Sequence, residues 1–414
     1  MRKIIVIYLL LLCGCASVTQ SRLDNIQKDF SNGNFASIID REETDENLDL
    51  LIKATALFHG NKFKESDEIF EEFNKKNIDE TSSSISRETT SLLFGGGVNS
   101  YKPYMMDSLF VSYYQLWDLL ALSDWLNARV VINQSYERQK NMSIKYKKLL
   151  EENKNKIFEN SEITETINKN KSDWAAFSDI MNPALMYLSG IYFLNDGDFE
   201  NAEIYLKRAN GMMPENDFIK TDLNLAQRHI VPKDITWIFT ESGFAPRLRE
   251  ENAGIFLPNI GMIYFSFSEP YFNSTPPKPK NAEILADIDK MFLTEYNEYR
   301  INEILRSYAS AVSKATLQST MYNSHSDTAP ILGILSTIYT ISSSNTDVRT
   351  WATLPKYIYV QRIDRTKTNL NEINVDGNMK TEIKRGDNNL IYIRQPNEIT
   401  DTKFIELNQR RKHQ

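Results

Sequence analysis

Cysteine is nearly missing from this chain. Of 414 residues only Cys13 and Cys15 carry a thiol, two positions apart where an apolar run stops. A disulfide between them would close a very tight ring and staple nothing, which excludes a disulfide-built scaffold. Histidine is scarce as well: His59, His229, His325 and His413 are scattered along the chain. A metal centre needs such groups to converge, so neither a metal nor a cofactor is expected. There is no Gly-x-Ser-x-Gly element, and no Ser-x-x-Lys stands in a persuasive context. The adjacent acids Glu71 and Glu72 sit among lysines, which makes them a solvated helix face. No enzyme is therefore expected. Positive charge is not in excess either, and a net charge of −7 argues against nucleic acid or an anionic lipid surface as the main partner. Long apolar runs are absent too. Ile4–Leu12 and the thirteen residues Ala329–Ile341 both fall short of the ~20 that a bilayer span needs.

What the N-terminus does hold is a basic start, Arg2 and Lys3, followed by the Ile4–Leu12 apolar run. That pattern fits a secretory signal peptide. Leu12-Cys13-Gly14-Cys15 resembles the bacterial lipobox, in which cleavage falls before the last cysteine. The resemblance implies a leader over residues 1–14, lipidation at Cys15, and no free thiol afterwards. Ala16 follows the lipidated position, where Asp would favour the inner membrane, so the outer membrane facing the periplasm is expected. Three acyl chains, at about 0.8 kcal/mol per buried CH₂, make a permanent anchor. The alternative is an ordinary signal peptide or a short N-terminal anchor.

Residues 15–231 read as helical pairs. In PALMYLSGIYFLNDGDFENAEIYLKRANGMMPEN, two amphipathic stretches flank a turn at Asp196-Gly197-Asp198. Small residues (Gly190, Ala202, Ala209) fall where helices approach, and Met186, Phe193, Phe199 and Leu206 fill between them. The arrangement resembles a tetratricopeptide (TPR) repeat, with Met186 where Trp is commoner. A second copy uses Leu50, Ala54, Leu57, Phe63, Ser66, Phe70 and Phe73; weaker ones centre on Phe35 and on Trp125 with Ala128. Between copies lies a polar insert near 134–171, read as a helical protrusion, and a glycine loop at Gly95–Gly97. On the inner face of the third pair stand Tyr187, Ile191 and Asn195. Stacked helix pairs present grooves that hold peptides, so these three are the candidate partner-binding residues. The competing reading has Tyr187 simply packing on the inserted helix.

After Pro232 the texture changes, and residues 232–395 read as a smaller α+β domain. ITWIFTESGFAPRL, GMIYFSFSEPYF, LPKYIYVQRI and NNLIYIRQP alternate and are rich in β-branched and aromatic residues, as strands are. NEINVDGNMKTEIKR adds strands around a turn at Asp376-Gly377. The segment from Tyr299 to Met321 reads as a helix packed on the sheet. Ala329–Ile341 reads as a buried helix or an interfacial segment. Residues 396–414 read as a frayed polar tail.

DVRTWATLPKYIYV, carrying Asp347, Arg349, Trp351, Leu354 and Pro355, resembles a family of Gram-negative lipoproteins with TPR-like N-terminal halves. ESGFAPRLRE (Gly243, Ala245, Pro246) and RETTSLLFGGG match the same family's early C-terminal and middle segments. The resemblance implies fold and location more than activity, with a role in envelope or peptidoglycan assembly. The expected function is a lipid-anchored periplasmic adaptor that binds periplasmic or outer-membrane proteins through its helical groove. The alternative is an envelope hydrolase acting on peptidoglycan and recruited by its repeats. Arg349 and Trp351 form either a ligand-facing pair or, as favoured here, a plug at the sheet-helix interface with Arg349 paired to Asp347.

Overall fold

The computed structural model describes residues 15–42, 45–80, 101–154, 181–257, 261–322, 346–366, 372–375, 379–382 and 386–407. The architecture is mixed α+β: helices come first and a sheet dominates the C-terminal half. Helices α1 (Cys15–Ser31), α2 (Phe35–Ile39), α3 (Glu46–His59), α4 (Phe63–Glu80), α5 (Met105–Ala121), α6 (Trp125–Lys154), α7 (Pro183–Asp196), α8 (Phe199–Met212) and α9 (Asp217–Gln227) precede residue 232. Strand β1 (Ile235–Ser242) follows, then β2 (Arg247–Leu257), β3 (Gly261–Tyr271), β4 (Glu283–Asp287) and helix α10 (Ile288–Tyr322). The chain continues with β5 (Tyr357–Asp364), β6 (Glu372–Val375), β7 (Met379–Glu382), β8 (Asn389–Gln395) and β9 (Asp401–Glu406).

Four helix pairs share one turn. Gly33-Asn34-Phe35, Asn61-Lys62-Phe63, Ser123-Asp124-Trp125 and Gly197-Asp198-Phe199 each place a left-handed residue first and an aromatic at the start of the next helix. In each, the residue after the left-handed one donates its N–H five residues back. Asn34 reaches the carbonyl of Asp29 at 2.9 Å, Lys62 that of Leu57 at 2.9 Å, Asp124 that of Leu119 at 2.8 Å and Asp198 that of Phe193 at 3.0 Å. That bond satisfies an orphan carbonyl and turns the chain sharply back. Glycine tolerates this conformation best; Asn61 and Ser123 occupy it at φ 61° and 57°. Local capping completes the clearest pair. Asn182 accepts from the N–H groups of Ala184 and Leu185, Pro183 opens α7, and Asp198 accepts from the N–H of Asn201.

The helices of that pair touch where the small residues predicted it. A Cβ on Gly190 would lie 2.6 Å from Leu206 Cγ, so only glycine fits the crossing. In the second pair the hydroxyl of Ser66 donates to the carbonyl of Ala54 at 3.0 Å, marking the corresponding approach. The expected insert begins as a helix. Its first part continues α6 without interruption to Lys154; residues 155–180 lie outside the described ones, as do the leader, Gly95–Gly97, His325, Ala329–Ile341 and Asp376-Gly377.

The main sheet runs β4-β5-β1-β8-β9, with β1 and β8 parallel and its other neighbours antiparallel. Two separate hairpins, β2–β3 and β6–β7, complete the strands described. The stretch expected to fray after Asn397 contains β9, an edge strand paired with β8 from Asn389↔Glu406 to Arg394↔Asp401. Its inward positions are Asp401, Lys403, Ile405 and Leu407, all buried. Two charged residues on the core face hid the strand's alternation.

One apolar core crosses residue 232. Trp117 of α5 packs its ring 5.3 Å from Phe239 of β1 and 5.2 Å from Tyr392 of β8, and Phe58 of α3 lies 5.1 Å from Tyr392. The sheet gives Trp237, Phe239, Leu390 and Tyr392 to this helical side. Its other face carries a smaller cluster of Ile238, Ile391 and Ile393.

Candidate functional site

The densest collection of polar chemistry lies in the seam between helices and sheet. Asp222 on α9 is fully buried and is the first of three nodes there. Its Oδ2 accepts from the Tyr187 hydroxyl at 2.6 Å and from Trp237 Nε1 at 2.7 Å, while Oδ1 accepts from Arg362 Nε at 2.8 Å. Helices α7 and α9 are thereby tied to β1 and β5. Burial beside this carboxylate holds the Tyr187 phenol well above its ordinary range.

This geometry corrects the predicted groove. Tyr187 and Ile191 have no exposed surface, and the Tyr187 ring stands 6.0 Å from Phe239 of β1. Asn195 is half-buried; its side chain donates to the Ile191 carbonyl at 2.8 Å and accepts from Asn388 Nδ2 at 2.7 Å, at the entry to β8. The inner face of this helix pair is filled by the chain's own sheet, so those residues are joints rather than partner contacts. A signal was present in the sequence: Pro183 to Leu194 carries no charged residue, and a helix apolar all round is sandwiched.

Glu241 on β1 is the second node, also fully buried. Tyr114 of α5 donates to its Oε2 at 2.9 Å, and Arg394 of β8 places Nε 3.8 Å from the same oxygen. Burial pushes the Glu241 carboxyl up to about 7, opposed by the Arg394 charge. Arg394 is itself enclosed, with Phe30 and Phe244 rings at 5.2 and 5.1 Å from its guanidinium carbon.

The third node joins α3 to β9. His59 Nδ1 lies 2.9 Å from Asp401 Oδ2, which also meets Lys403 Nζ at 2.8 Å. Rings of Phe30, Phe35 and Phe58 surround the imidazole at 4.8, 5.4 and 5.0 Å. Burial drives the His59 pKa down to about 4, although Asp401 pulls the other way, so the ring is neutral at pH 7. His59 thus meets a carboxylate from a strand more than three hundred residues away. Only the edge strand that sequence reading missed could have revealed it.

The Trp-x-x-Leu-Pro element sits in the same seam. Trp351 is buried against Phe70 and Tyr114 at 6.1 and 5.9 Å, and its Nε1 donates to Thr55 Oγ1 at 3.0 Å. Arg349 pairs with Asp347 at 2.6 Å and also with Asp45, the N-cap of α3. The plug reading of this pair is what the contacts show. A related clamp holds α5, where Glu295 of α10 accepts from the N–H groups of Met105 and Met106 at 2.5 and 3.0 Å.

Chemically, these groups can orient and neutralise one another, but every member of the three nodes except the half-buried Arg362 is buried, most of them completely. Among the described residues no three of His, Cys, Asp and Glu converge to hold a metal ion. None of the described helices is long and apolar enough to cross a membrane. His229 takes a left-handed conformation at φ 54° and stacks flat on Phe199 at 5.0 Å, an end-of-helix role.

Outside the seam, the helical half exposes an apolar stripe. Leu126 and Val130 stand one turn apart on α6, 74% and 48% exposed, with Leu122 of the preceding turn at 45%. Residues four apart share a helix face. Comparison of the chain with family models, with curated proteins and with solved structures finds no match.

Proposed function

We propose that this chain is a lipid-anchored adaptor at the periplasmic face of the outer membrane, built from TPR-like helix pairs braced by a sheet. The four equivalent turns, with a small or apolar residue three positions after each aromatic (Ile38, Ser66, Ala128, Ala202), support the repeat reading. The lipobox resemblance at Cys15 supports the anchor. A tether of this kind confines the protein to two dimensions and raises its effective concentration beside envelope partners.

The observation that carries the binding reading is the outward pair Leu126 and Val130 on α6. Contiguous exposed apolar side chains on a helix mark protein contacts. The rival hydrolase would need a carboxylate that a glycan strand can reach, and the carboxylates of the three nodes are enclosed. The test is capture of the intact protein from cross-linked, detergent-solubilised envelopes, beside a variant with Leu126→Glu and Val130→Glu. A protein recovered with the parent and lost with the variant identifies the client. Identical recovery from both would sink the stripe as the working surface.

A further inference from the structure

The hairpin β2–β3 is an arm with a core of its own. Ile255, Ile263, Phe265 and Phe267 pack on Ile304 and Ala311 of α10. Towards the tip the opposite face of the hairpin is uncovered, whereas Ser266 and Ser268 farther along it are buried. Phe256 and Met262 are cross-strand partners, 61% and 51% exposed, and Tyr264 next to them is 42% exposed. Gly254, opposite Tyr264, makes room for both neighbours: a Cβ there would lie 2.9 Å from Met262 Cε and from Tyr264 Cε1. Between Glu251 and Glu269 the chain carries no charged residue.

The direction of the arm ties this face to the N-terminus. Helix α1 sets Phe30 6.1 Å from Phe244 and pairs Asp24 with Arg247, the first residue of β2. Read backwards, α1 meets Phe244 at Phe30 and then Arg247 at Asp24, the order in which the chain enters β2. From Asp24 to Cys15 is about 14 Å of helix; from Arg247 to Glu251 is about 13 Å of strand. Phe256 and Met262 lie past Glu251, the last charged residue of β2, towards the far end of the hairpin from Arg247. Arg249 and Glu251, paired at 2.9 Å, precede the uncharged stretch.

We infer that the uncovered face of the β2–β3 hairpin docks on a lipid bilayer, with Phe256 and Met262 in the acyl boundary and Tyr264 among the headgroups. The inference rests on Cys15 as the lipid-bearing residue, because that fixes which end of the molecule faces the membrane. Amphipathic rings favour the interfacial layer, and shallow apolar insertion of this kind reaches about 5–10 Å. A second contact also stops a protein held by one flexible attachment from tumbling, and so orients the helical half.

The test uses the leaderless chain with Cys15→Ser, which has no thiol and no acyl chain. Met262→Cys then gives a single site for an environment-sensitive dye, with Lys207→Cys on α8 as the control. Vesicles of phosphatidylethanolamine and phosphatidylglycerol should raise the Met262→Cys emission at least threefold and shift it to the blue, leaving the control unchanged. Phe256→Ser with Tyr264→Ser should weaken vesicle partition at least tenfold while near-ultraviolet dichroism stays native. The proposal is overturned if the dye responds equally at both sites or at neither. Bright emission before vesicles are added overturns it too, and sedimentation then tells a second copy from cover by the chain's own residues. The mass of the N-terminal peptide from cells reports acylation of Cys15 separately. An acylated peptide without a hairpin signal ends this inference and leaves the anchor standing. A hairpin signal without acylation upholds bilayer contact and ends the anchor reading.

Discussion

Tyr187 on α7 gives its hydroxyl hydrogen to Asp222 Oδ2 at 2.6 Å, and the carboxylate that receives it also receives Trp237 and Arg362 from the sheet. The residue that sequence patterning places in a peptide groove is thus a fastener between the two halves of the chain. Removing one partner of a buried ion pair leaves the other charge uncompensated, at a cost of about 3–5 kcal/mol. Asp222→Ala is expected to lose stability on that scale, and Tyr187→Phe about 1 kcal/mol. Urea midpoints measure both. An unchanged midpoint for Asp222→Ala would contradict the role assigned to this node.

Gly190→Ala sets two effects against each other. Helix propensity favours alanine by about 1 kcal/mol. The new methyl, however, would overlap Leu206 Cγ and Cδ2 at 2.6 and 2.7 Å, and overpacking costs about 1–3 kcal/mol. Packing wins, so the substitution is expected to destabilise. In a Leu206→Ala background the clash is gone and the same change should stabilise. A double-mutant cycle that shows additivity would place the two residues apart.

Stability should fall as pH rises from 5.5 to 8. Burial raises Glu241 and Glu303 from 4.5 to about 7, Asp107 from 3.8 to about 7, and Glu295 from 4.5 to about 8. A raised pKa means the folded form holds its proton more tightly. That contribution is complete below the unfolded value and is lost as pH climbs through the folded one. His59, lowered from 6.5 to about 4, acts in the opposite sense between those values. The carboxyls outnumber it, and a shift of one pH unit is worth about 1.4 kcal/mol. Thermal melts across this range should show a Tm several degrees lower at pH 8, with a shallower slope in Glu295→Gln. A Tm that rises towards pH 8 would reverse the assignment.

Much of the helical half was legible because its signals are local. Asn182, Pro183, Gly197 and Asp198 act on backbone groups within a few residues, and Gly190 with Leu206 lies in one hairpin. The recurrence of the turn was harder to see. One backbone conformation is filled by Gly33, Asn61, Ser123 and Gly197, and hydrogen bonding, not residue identity, reveals that they are equivalent. Strand β9 escaped because Asp401 and Lys403 occupy core positions, stabilised by His59, a partner no local pattern could supply. Tyr187 was misplaced for a similar reason: what covers a helix face depends on the sheet, and β1 and β8 meet it from far along the chain.

The seam itself is the central claim, and hydrogen exchange of the intact chain tests it most directly. If helices and sheet form one folded body, the amides of α7 should be protected as strongly as those of β1 and β8, and Asp222→Asn should weaken all three together. Free exchange of α7 while β1 and β8 stay protected would contradict this account and reopen the inner face of the helix pair to a partner.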